Sequence, residues 1–483
     1  MNFFPVIGLE IHAQLLTETK VFCGCSTAFG DPPNTNTCPV CLGHPGVLPV
    51  LNHKAVLFAL KLALALDCRI NPVSSFARKN YFYPDLPKGY QITQYEHPMA
   101  EDGKLRIDAG GRGRDIRISR IHLEEDAGKS MHEGFPNSHE SSYLDFNRAG
   151  IPLVEIVTYP EMKSPEEAHA CLVQLRSVLQ YLGICNGNME EGSLRCDANL
   201  SVQKEREPGL NPKTEIKNLN SFRNVRKGLA YEFDRQVRII SDGETIVQET
   251  RLWDAAQSKT VPMRQKEEIQ DYRYFPEPDL PELVIEKAWM DKIKSELSEL
   301  PSERKARFMK QYGLPEYDAG FLVSSRDLAD YFEATCRVAP YPKTVSNWIM
   351  GPLVRELNRD GTAPSACRIP PEKLGNLVKA IQKGIISGKM AKSIFEEMYT
   401  TGEGSDKIIK NRGLLQVSDE EELLRVIGSV LESHPGPLEQ YRSGKKQTFA
   451  FFMGQVMKAT EGRANPHMVL KLLKKILEED SSH

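Results

Sequence analysis

Two stretches of the chain alternate polar and apolar residues at every second position. They are Val6–His12 and Leu194–Val202. This period is typical of a β-strand that has one row of side chains in the core and the other row on an open face. With similar shorter runs, the pattern predicts a mixed β region with a few helices over the first ~290 residues.

The segment Ser164–Leu182 carries the signals of a helix inside this region. Ser164 stands at the N-cap position and Pro165 at the first helical position. Glu166 and Glu167 follow near the positive end of the helix dipole. We therefore predict a helix here.

A proline-rich passage, Tyr274–Pro281, closes the β-rich region. A residue before a proline is pushed away from the α conformation, so this passage should be extended. Beyond it the pattern is helical, with a flexible break at Gly402–Ser405. The predicted fold class is α+β, with an antiparallel or mixed sheet in the first of three domains. We predict a β-rich domain over 1–292, an all-helical domain over 293–405 and a small helical tail over 406–483.

Composition places the chain among globular proteins. Its 40% apolar and 26% charged residues exclude bulk disorder. The net charge of −3, from 62 basic and 65 acidic residues, excludes a protein held on nucleic acid by its overall charge. The most apolar helical run, Val56–Leu66, carries Lys61 and is far shorter than the ~20 residues that a membrane span needs. We expect no signal peptide, no membrane segment and a cytoplasmic location.

Four of the ten cysteines lie within nineteen residues, as Cys23-x-Cys25 and Cys38-x-x-Cys41. Two close pairs of thiolates at this spacing are typical of a tetrahedral zinc site. Zinc would supply local folding energy, and with four thiolates bound it would be structural. The alternative is a set of ordinary buried thiols. Packing explains the other six cysteines, which are Cys68, Cys171, Cys185, Cys196, Cys336 and Cys367.

Many polar residues of the predicted strands share a face. By the period of two, Glu10 lies beside His12, and Glu215 lies beside Lys217. Further polar residues line, end or interrupt other strands: Arg195, Asp197, Asn199, Lys213, Glu124, Glu125, Asp126 and Glu155. The alternative for each is the open face of an antiparallel strand. Taken together, carboxylates with one imidazole suit Mg²⁺ and the cations suit phosphate, so we hypothesise a sheet that forms the floor of a metal–nucleotide site.

The segment Arg78–Gln91 combines four aromatic residues with cations and a turn. Two interpretations have equal weight: an exposed loop packed on its own rings, or a lid that stacks on a base or ribose. No P-loop occurs, because Gly384–Met390 is one residue short and lacks the hydroxyl. Any phosphate chemistry must therefore use another kind of site.

Positive charge is concentrated near the end of the chain. The window Gln440–Lys475 contains eight cations and one anion, a local net charge of +7. Such clustering indicates a surface for a polyanion, and the alternative is a solvated helix face. The cations are Arg442, Lys445, Lys446, Lys458, Arg463, Lys471, Lys474 and Lys475.

Six segments together resemble the B subunit of glutamyl/aspartyl-tRNA amidotransferase. They are Val6–His12, Arg78–Asp85, Met189–Asp197, Lys217–Ser221, Asp271–Asp279 and Gly454–Lys458. The similarity runs essentially from end to end of the chain.

The resemblance implies a β-rich cradle domain, a helical domain and a helical tail similar to the YqeY proteins. It implies a glutamine-dependent ligase of three subunits, in which the B subunit acts with an amidase A subunit and a small C subunit. The B subunit phosphorylates the side-chain carboxylate of Glu or Asp on misacylated tRNA, with ATP as co-substrate. Ammonia from the A subunit then passes through a channel and displaces the phosphate to give Gln-tRNA or Asn-tRNA.

The resemblance also implies roles for individual residues. The implied Mg²⁺ ligands are Glu10, His12, Glu125 and Glu215. The implied catalytic carboxylates are Glu125, Glu124, Glu155 and Asp197. The residues implied to bind ATP and the acyl end are Lys79, Tyr81, Arg195 and Lys217. Zinc would be bound by Cys23, Cys25, Cys38 and Cys41, and tRNA by Lys445, Lys446, Lys458 and Arg463.

Two other classes of protein compete with this interpretation. A non-catalytic, zinc-containing tRNA-binding subunit explains the thiolates and the basic tail, but it leaves the carboxylate-rich strand faces without a purpose. The interpretation as a self-contained amidohydrolase is rejected because the chain has no Ser-Ser-Lys amidase arrangement. The chain is therefore predicted to depend on a partner for its ammonia.

Overall fold

The computed structural model of the chain describes residues 3–131, 137, 140–204, 211–263, 272–413, 420–460 and 464–479. Its strands are β1 (Phe3–Gln14), β2 (Arg69–Ile70), β3 (Val73–Ser74), β4 (Ala77–Asn80), β5 (Tyr90–Thr93), β6 (Ala100–Ala109), β7 (Arg112–Glu125), β8 (Lys129–Met131), β9 (Tyr143–Asp145), β10 (Pro152–Thr158), β11 (Leu194–Lys204), β12 (Thr214–Lys217), β13 (Glu249–Asp254), β14 (Lys259–Pro262), β15 (Phe275–Pro276) and β16 (Leu283–Val284).

The helices begin within the β-rich region and dominate after it. They are α1 (His53–Ala65), α2 (Pro165–Tyr181), α3 (Phe222–Ser241), α4 (Lys287–Glu296), α5 (Pro301–Tyr312), α6 (Glu316–Leu322), α7 (Arg326–Val338), α8 (Pro342–Trp348), α9 (Val354–Asp360), α10 (Pro371–Gln382), α11 (Gly388–Thr401), α12 (Ser405–Asn411), α13 (Glu420–Glu432), α14 (Pro435–Arg442), α15 (Thr448–Ala459) and α16 (Pro466–Glu479). A short π-helix, Ile349–Leu353, joins α8 to α9.

One nine-stranded sheet organises the first region, in the order β14-β13-β12-β11-β1-β10-β7-β6-β2. Neighbouring strands pair antiparallel except β12 and β13, which pair parallel, so the sheet is mixed. The predicted α+β class, a mixed sheet followed by helices, is confirmed.

The central strand β1 shows how the sequence divides the two faces of this sheet. Leu9, Ile11 and Ala13 are buried in the main hydrophobic core. Glu10 and His12 point the other way and are partly exposed. The apolar face is covered by helices, since α2 packs on β6 and α3 packs on β11. The opposite face of β1 therefore carries polar residues.

Helix α2 begins where the sequence predicts. The Ser164 hydroxyl accepts a hydrogen bond of 3.1 Å from the backbone N–H of Glu167, and Pro165 stands in the first turn. The helix ends at Tyr181, one residue before the predicted end, and its buried residues other than Tyr181 belong to the main core.

A three-stranded sheet, β15-β4-β5, is formed in part by the proline-rich passage. Strand β15 pairs antiparallel with β4, so the predicted extended conformation is confirmed there. The Arg78 guanidinium on β4 donates to the buried carboxylate of Glu277 at 2.7 and 2.8 Å, which fixes the passage against β4.

The chain divides into two compact units, Met1–Ser302 and Glu303–His483. The described part of the second unit is helical, and its last helices, from Leu423 to Leu477, form a hydrophobic cluster of their own. The predicted boundaries near 292 and 405 stay predictions. No described helix is both long enough and apolar enough to cross a membrane.

Packing of β1 predicts graded losses of stability at Ile11, which is fully buried. Ile11→Val should lower the free energy of unfolding by about 0.5–1.5 kcal/mol and Ile11→Ala by about 2–5 kcal/mol, because a cavity is left. Urea unfolding followed by tryptophan fluorescence measures both. Val173→Ala, at an exposed position of α2, is the control and should cost less than about 0.5 kcal/mol. Equal losses at Ile11 and Val173 would contradict the packing described here.

Candidate functional site

Strand register brings distant polar residues into one row across the sheet. His12 on β1 faces Glu155 on β10 and Arg195 on β11. Glu155 in turn faces His122 on β7. We call the face of the sheet that carries this row the polar face. Its neighbouring row pairs Glu10 with Asp197.

A cluster of two imidazoles and two carboxylates lies at the centre of the polar face. His12 Nε2 lies 3.3 Å from Glu124 Oε1 and 3.4 Å from Glu155 Oε2. His122 Nε2 lies 3.1 Å from the same Glu155 oxygen. Ligand atoms of His12, Glu124 and Glu155 all lie within 4.8 Å of one another, so these three residues could hold a metal ion.

The Glu124 carboxylate is buried and that of Glu155 is largely buried, and both depend on the imidazoles for compensation. Burial raises the pKa of Glu124, but His12 and His122 outweigh burial and lower that pKa to about 2. Burial lowers the pKa of His12, whereas hydrogen bonds and charge from Glu124 and Glu155 raise it from 6.5 to about 10. In the absence of another cation, the His12 imidazolium therefore sits between two carboxylates.

Two cations border this cluster on the β11–β12 side. Arg195 Nη2 donates to the buried Asp126 Oδ1 at 2.9 Å. Lys217 Nζ lies 3.3 Å from Asp197 Oδ2 and 3.2 Å from Glu215 Oε1. Each cation retains donors beyond these contacts, because a guanidinium has five N–H groups and an ammonium has three. They can therefore bind an anion on the polar face.

Three of the four residues implied as Mg²⁺ ligands have partners other than His12. The Glu125 carboxylate pairs with Lys88 and accepts a hydrogen bond of 2.8 Å from the backbone N–H of Ile92. Glu10 accepts from Asn199 Nδ2 at 2.8 Å, and Glu215 accepts from Thr250 Oγ1 at 2.8 Å. Among the described residues, the three-ligand group at His12 includes Glu124 and Glu155 and none of Glu10, Glu125 and Glu215.

Aromatic side chains gather beside the carboxylates. Lys79 Nζ lies 4.7 Å from the ring centroid of Tyr272 and 5.8 Å from that of Tyr81. Tyr95 and Tyr274 stack in parallel with centroids 3.9 Å apart. Burial and the nearby charges of Glu124 and other carboxylates raise the pKa of Tyr81 and of Tyr274. Tyr81, implied to bind substrate, is therefore within electrostatic reach of Glu124, and Lys79 lies beside the Tyr81 ring.

The four clustered cysteines meet in space. Their sulfur atoms all lie within 4.8 Å of one another, and Cys38 Sγ and Cys41 Sγ are 3.9 Å apart. Tetrahedral zinc with Zn–S bonds of ~2.3 Å requires sulfur atoms about 3.8 Å apart, so this donor set fits one metal ion. A hydrogen bond from Cys23 is the largest cause that lowers the pKa of Cys41, to about 4. We call residues 23–41 the metal knuckle.

The remaining cysteines lie apart from the metal knuckle. Five are buried, as the packing interpretation predicts, and Cys367 is partly exposed. Their burial raises the pKa of these thiols; for Cys68 and Cys171 it reaches about 12.

Two residues with prominent positions in the site were not predicted from the sequence, His122 at the centre of the cluster and Lys88 on Glu125. Asp126 is among the polar residues that the strand pattern predicts, but its contact with Arg195 was not predicted. The period of two could have found His122, since it shares a strand face with Glu124. The contacts of Asp126 and Lys88 depend on segments distant in sequence, and no local signal indicates them.

In the basic window, Lys445, Lys446 and Lys458 are exposed. Lys445 and Lys446 lie between α14 and α15, and Lys458 lies in the last turn of α15. Arg463, also predicted to bind tRNA, lies outside the described residues. The described lysines are thus accessible to a polyanion.

Comparison with known families places this architecture in a class. A family model described as the GatB/GatE catalytic domain matches residues 5–291, which include the polar face and the metal knuckle. A second model, described as the GatB domain, matches residues 330–477. The first region is therefore a GatB/GatE catalytic domain.

Relatives that align along the whole chain specify the family. The B subunit of aspartyl/glutamyl-tRNA(Asn/Gln) amidotransferase from Thermodesulfovibrio yellowstonii is 53% identical over 99% of this chain and 100% of its own length. Proteins of the same name from Moorella thermoacetica and Carboxydothermus hydrogenoformans are 51% and 50% identical, over 99% and 98% of this chain and 100% and 98% of their own lengths. The chain belongs to this family of amidotransferase B subunits, and the resemblance and the enzyme class predicted from the sequence are confirmed.

The geometry at His12 predicts a pH dependence of stability in protein without added divalent cations. The pKa of His12 is higher in the folded protein, about 10, than its ordinary 6.5. Its contribution is therefore complete below about pH 6.5 and is lost as the pH rises towards 10. Relative to His12→Gln, wild type should lose up to about 1.4 kcal/mol of unfolding free energy per pH unit in this window.

Urea unfolding of both proteins from about pH 7 to about pH 10 measures this difference. Lysines and cysteines titrate in both proteins, so subtraction isolates His12. Parallel pH curves for wild type and His12→Gln would show that His12 does not carry a stabilising proton.

Proposed function

We propose that the chain activates misacylated tRNA for amidation, as the B subunit of a glutamine-dependent ligase. The γ-phosphoryl group of ATP is transferred to a side-chain carboxylate oxygen of Glu or Asp on the tRNA, and ADP leaves. Ammonia then attacks the acyl carbon, and inorganic phosphate leaves as the amide forms. The product is Gln-tRNA(Gln) or Asn-tRNA(Asn).

The observation that carries this proposal is the row of His12, Glu155 and His122 with Glu124 beside it and Arg195 at its end. Transfer between two anions needs neutralised phosphate charge and fixed positions for both reactants. A face that combines buried carboxylates with cations meets both needs. A protein that only bound tRNA would have no use for buried, compensated carboxylates.

His12, Glu124 and Glu155 are the residues that we propose hold Mg²⁺, because they offer three ligand atoms within 4.8 Å. When bound, Mg²⁺ would neutralise phosphate charge. Carboxylates and an imidazole suit this ion, which usually keeps positions open for phosphate oxygens. Glu10, Glu125, Glu215 and Asp197 stay predictions as ligands or catalytic groups.

The cations and aromatic rings would bind and orient the substrates. Arg195 is fixed by Asp126 and Lys217 by Asp197, so each presents its free N–H groups from a fixed base. Lys79 lies beside the Tyr81 ring, which would offer stacking to a base. We propose that these residues bind ATP together with Arg195 and Lys217.

Partner subunits would supply the ammonia for amidation. We propose an amidase A subunit as the source of ammonia and a small C subunit in the same assembly, with the cytoplasm as the expected compartment. The four thiolates of the metal knuckle would hold zinc in a structural role, since no ligand position would be left for substrate. The exposed lysines of the tail would contact the tRNA backbone.

Removing charge from the cluster should abolish tRNA-dependent ATP cleavage. In the assembled enzyme with Mg²⁺ and Glu-tRNA, Glu124→Gln and Glu155→Gln should each slow ADP formation by about 100-fold or more, because a preorganised charge is lost. The matched control is Glu101→Gln, a surface carboxylate on β6 that pairs with Arg69. Glutamine hydrolysis by the partner, measured in parallel, should stay near wild type.

If both cluster variants cleaved ATP at the wild-type rate while removal of zinc abolished cleavage, the assignment of catalysis to the polar face would be wrong. The non-catalytic tRNA-binding protein would then be the better description.

Charge reversal in the tail should weaken tRNA binding without changing the chemical step. The double variant Lys445→Glu/Lys446→Glu should raise KM for tRNA about tenfold and leave kcat nearly unchanged, because lost phosphate contacts reduce affinity for any tRNA. The control is Lys389→Glu/Lys392→Glu, a pair of exposed lysines on α11 outside the basic window. Equal effects of the two double variants would argue against a specific tail surface.

A further inference from the structure

A lysine lies fully buried beside the metal knuckle. Lys20 has 0% exposure and is among the largest fully buried side chains of the described residues. A buried ammonium is costly unless every N–H group and the charge are compensated. The roles proposed for the polar face and the tail do not explain why Lys20 is buried.

The Lys20 ammonium has three acceptors for its three N–H groups. Nζ donates to the carbonyl oxygen of Asn36 at 2.7 Å and to that of Phe146 at 3.2 Å. The third contact is to Cys41 Sγ, at 3.6 Å, within the range for a hydrogen bond to sulfur. Asn36 and Cys41 belong to the metal knuckle, whereas Phe146 belongs to the segment after β9.

The Lys20 ammonium would also compensate the negative charge of a zinc–thiolate site. Four thiolates around Zn²⁺ carry a net charge of −2, and such a charge is unfavourable in a partly buried site. An N–H donor to a ligating sulfur lowers the energy of the sulfur lone pairs and offsets part of the charge. Lys20 is both the donor and the cation.

The same side chain lies on a path from the metal knuckle to the polar face. Gly150 packs against Lys20 and Cys41 with φ of +85°, and its carbonyl oxygen accepts from the backbone N–H of Val21 at 2.9 Å. The backbone N–H of Gly150 donates to the carbonyl oxygen of Asp126 at 2.8 Å. Asp126 in turn holds Arg195.

We propose that Lys20 is a positioning residue of the zinc site: its ammonium donates to the Cys41 thiolate, offsets the charge of the bound metal, and fixes the metal knuckle to the Phe146–Gly150 segment beneath the polar face. This inference rests on the proposed zinc site. On this proposal Lys20, which is not one of the four ligands, contributes to the affinity for the metal.

The test compares the full-length wild type with Lys20→Met, which keeps the length of the side chain and removes the charge and the donors. Zinc affinity is measured by competition with a chromophoric chelator, and Co²⁺ is used as a spectroscopic probe of the thiolates. Lys20→Met should bind zinc about 10–100-fold more weakly. Its thiolate-to-Co²⁺ charge-transfer band should shift to longer wavelength, because the sulfur lone pairs rise in energy without the hydrogen bond. The control is Lys54→Met, on an exposed face of α1, which should change neither quantity.

The outcomes separate the two proposals. Wild type that binds no zinc or Co²⁺ would overturn the zinc site itself. Wild type that binds both, with a Lys20→Met variant of equal affinity and unshifted spectrum, would overturn only the role of Lys20. Weaker affinity with an unshifted band would also overturn it, since a purely structural loss moves stability and leaves the sulfur ligands unchanged. If Lys20→Met does not fold, Lys20→Gln is measured against the same criteria.

Discussion

The antiparallel register between β1 and β10 is the constraint on which the polar face depends. It sets His12 opposite Glu155, and the register of β10 with β7 then sets Glu155 opposite His122. A slip of one residue would turn every side chain of a strand to the other face. Ile11 would then meet the polar face, and His12 would enter the hydrophobic core. The burial of Leu9, Ile11 and Ala13 therefore stabilises the same register that assembles the site.

The strand register also determines how the buried charges of the polar face are compensated. Burying the carboxylates of Glu124 and Glu155 is tolerated because the two imidazoles lie within 3.1–3.8 Å of them. The register therefore keeps two carboxylates and an imidazole close enough together that they could hold a metal ion. Lys20 is compensated in a similar way, because its buried ammonium donates to two carbonyl oxygens and to the Cys41 sulfur.

The sequence predicted the architecture better than the detailed contacts of the site. The period of two identified the two faces of β1, and Ser164 with Pro165 located the start of α2, because both signals are local. Which carboxylates meet His12 depends on the pairing of β1 with β10, more than 100 residues away in sequence, and on the pairing of β10 with β7. Glu124 and Glu125 are adjacent, yet one contacts His12 and the other contacts Lys88. The period of two separates them, since Glu124 shares a strand face with His122 and Glu125 does not. Their partners, however, come from segments distant in sequence, which no local pattern identifies.

The central claim is that His12, with Glu124 and Glu155, holds the divalent cation used in phosphoryl transfer. Pulsed electron paramagnetic resonance of the assembled enzyme with Mn²⁺ in place of Mg²⁺, in the presence of ATP, tests it directly. The account predicts an imidazole ¹⁴N coupling in wild type that disappears in His12→Gln. A spectrum without nitrogen coupling in wild type, or one unchanged in His12→Gln, would contradict it.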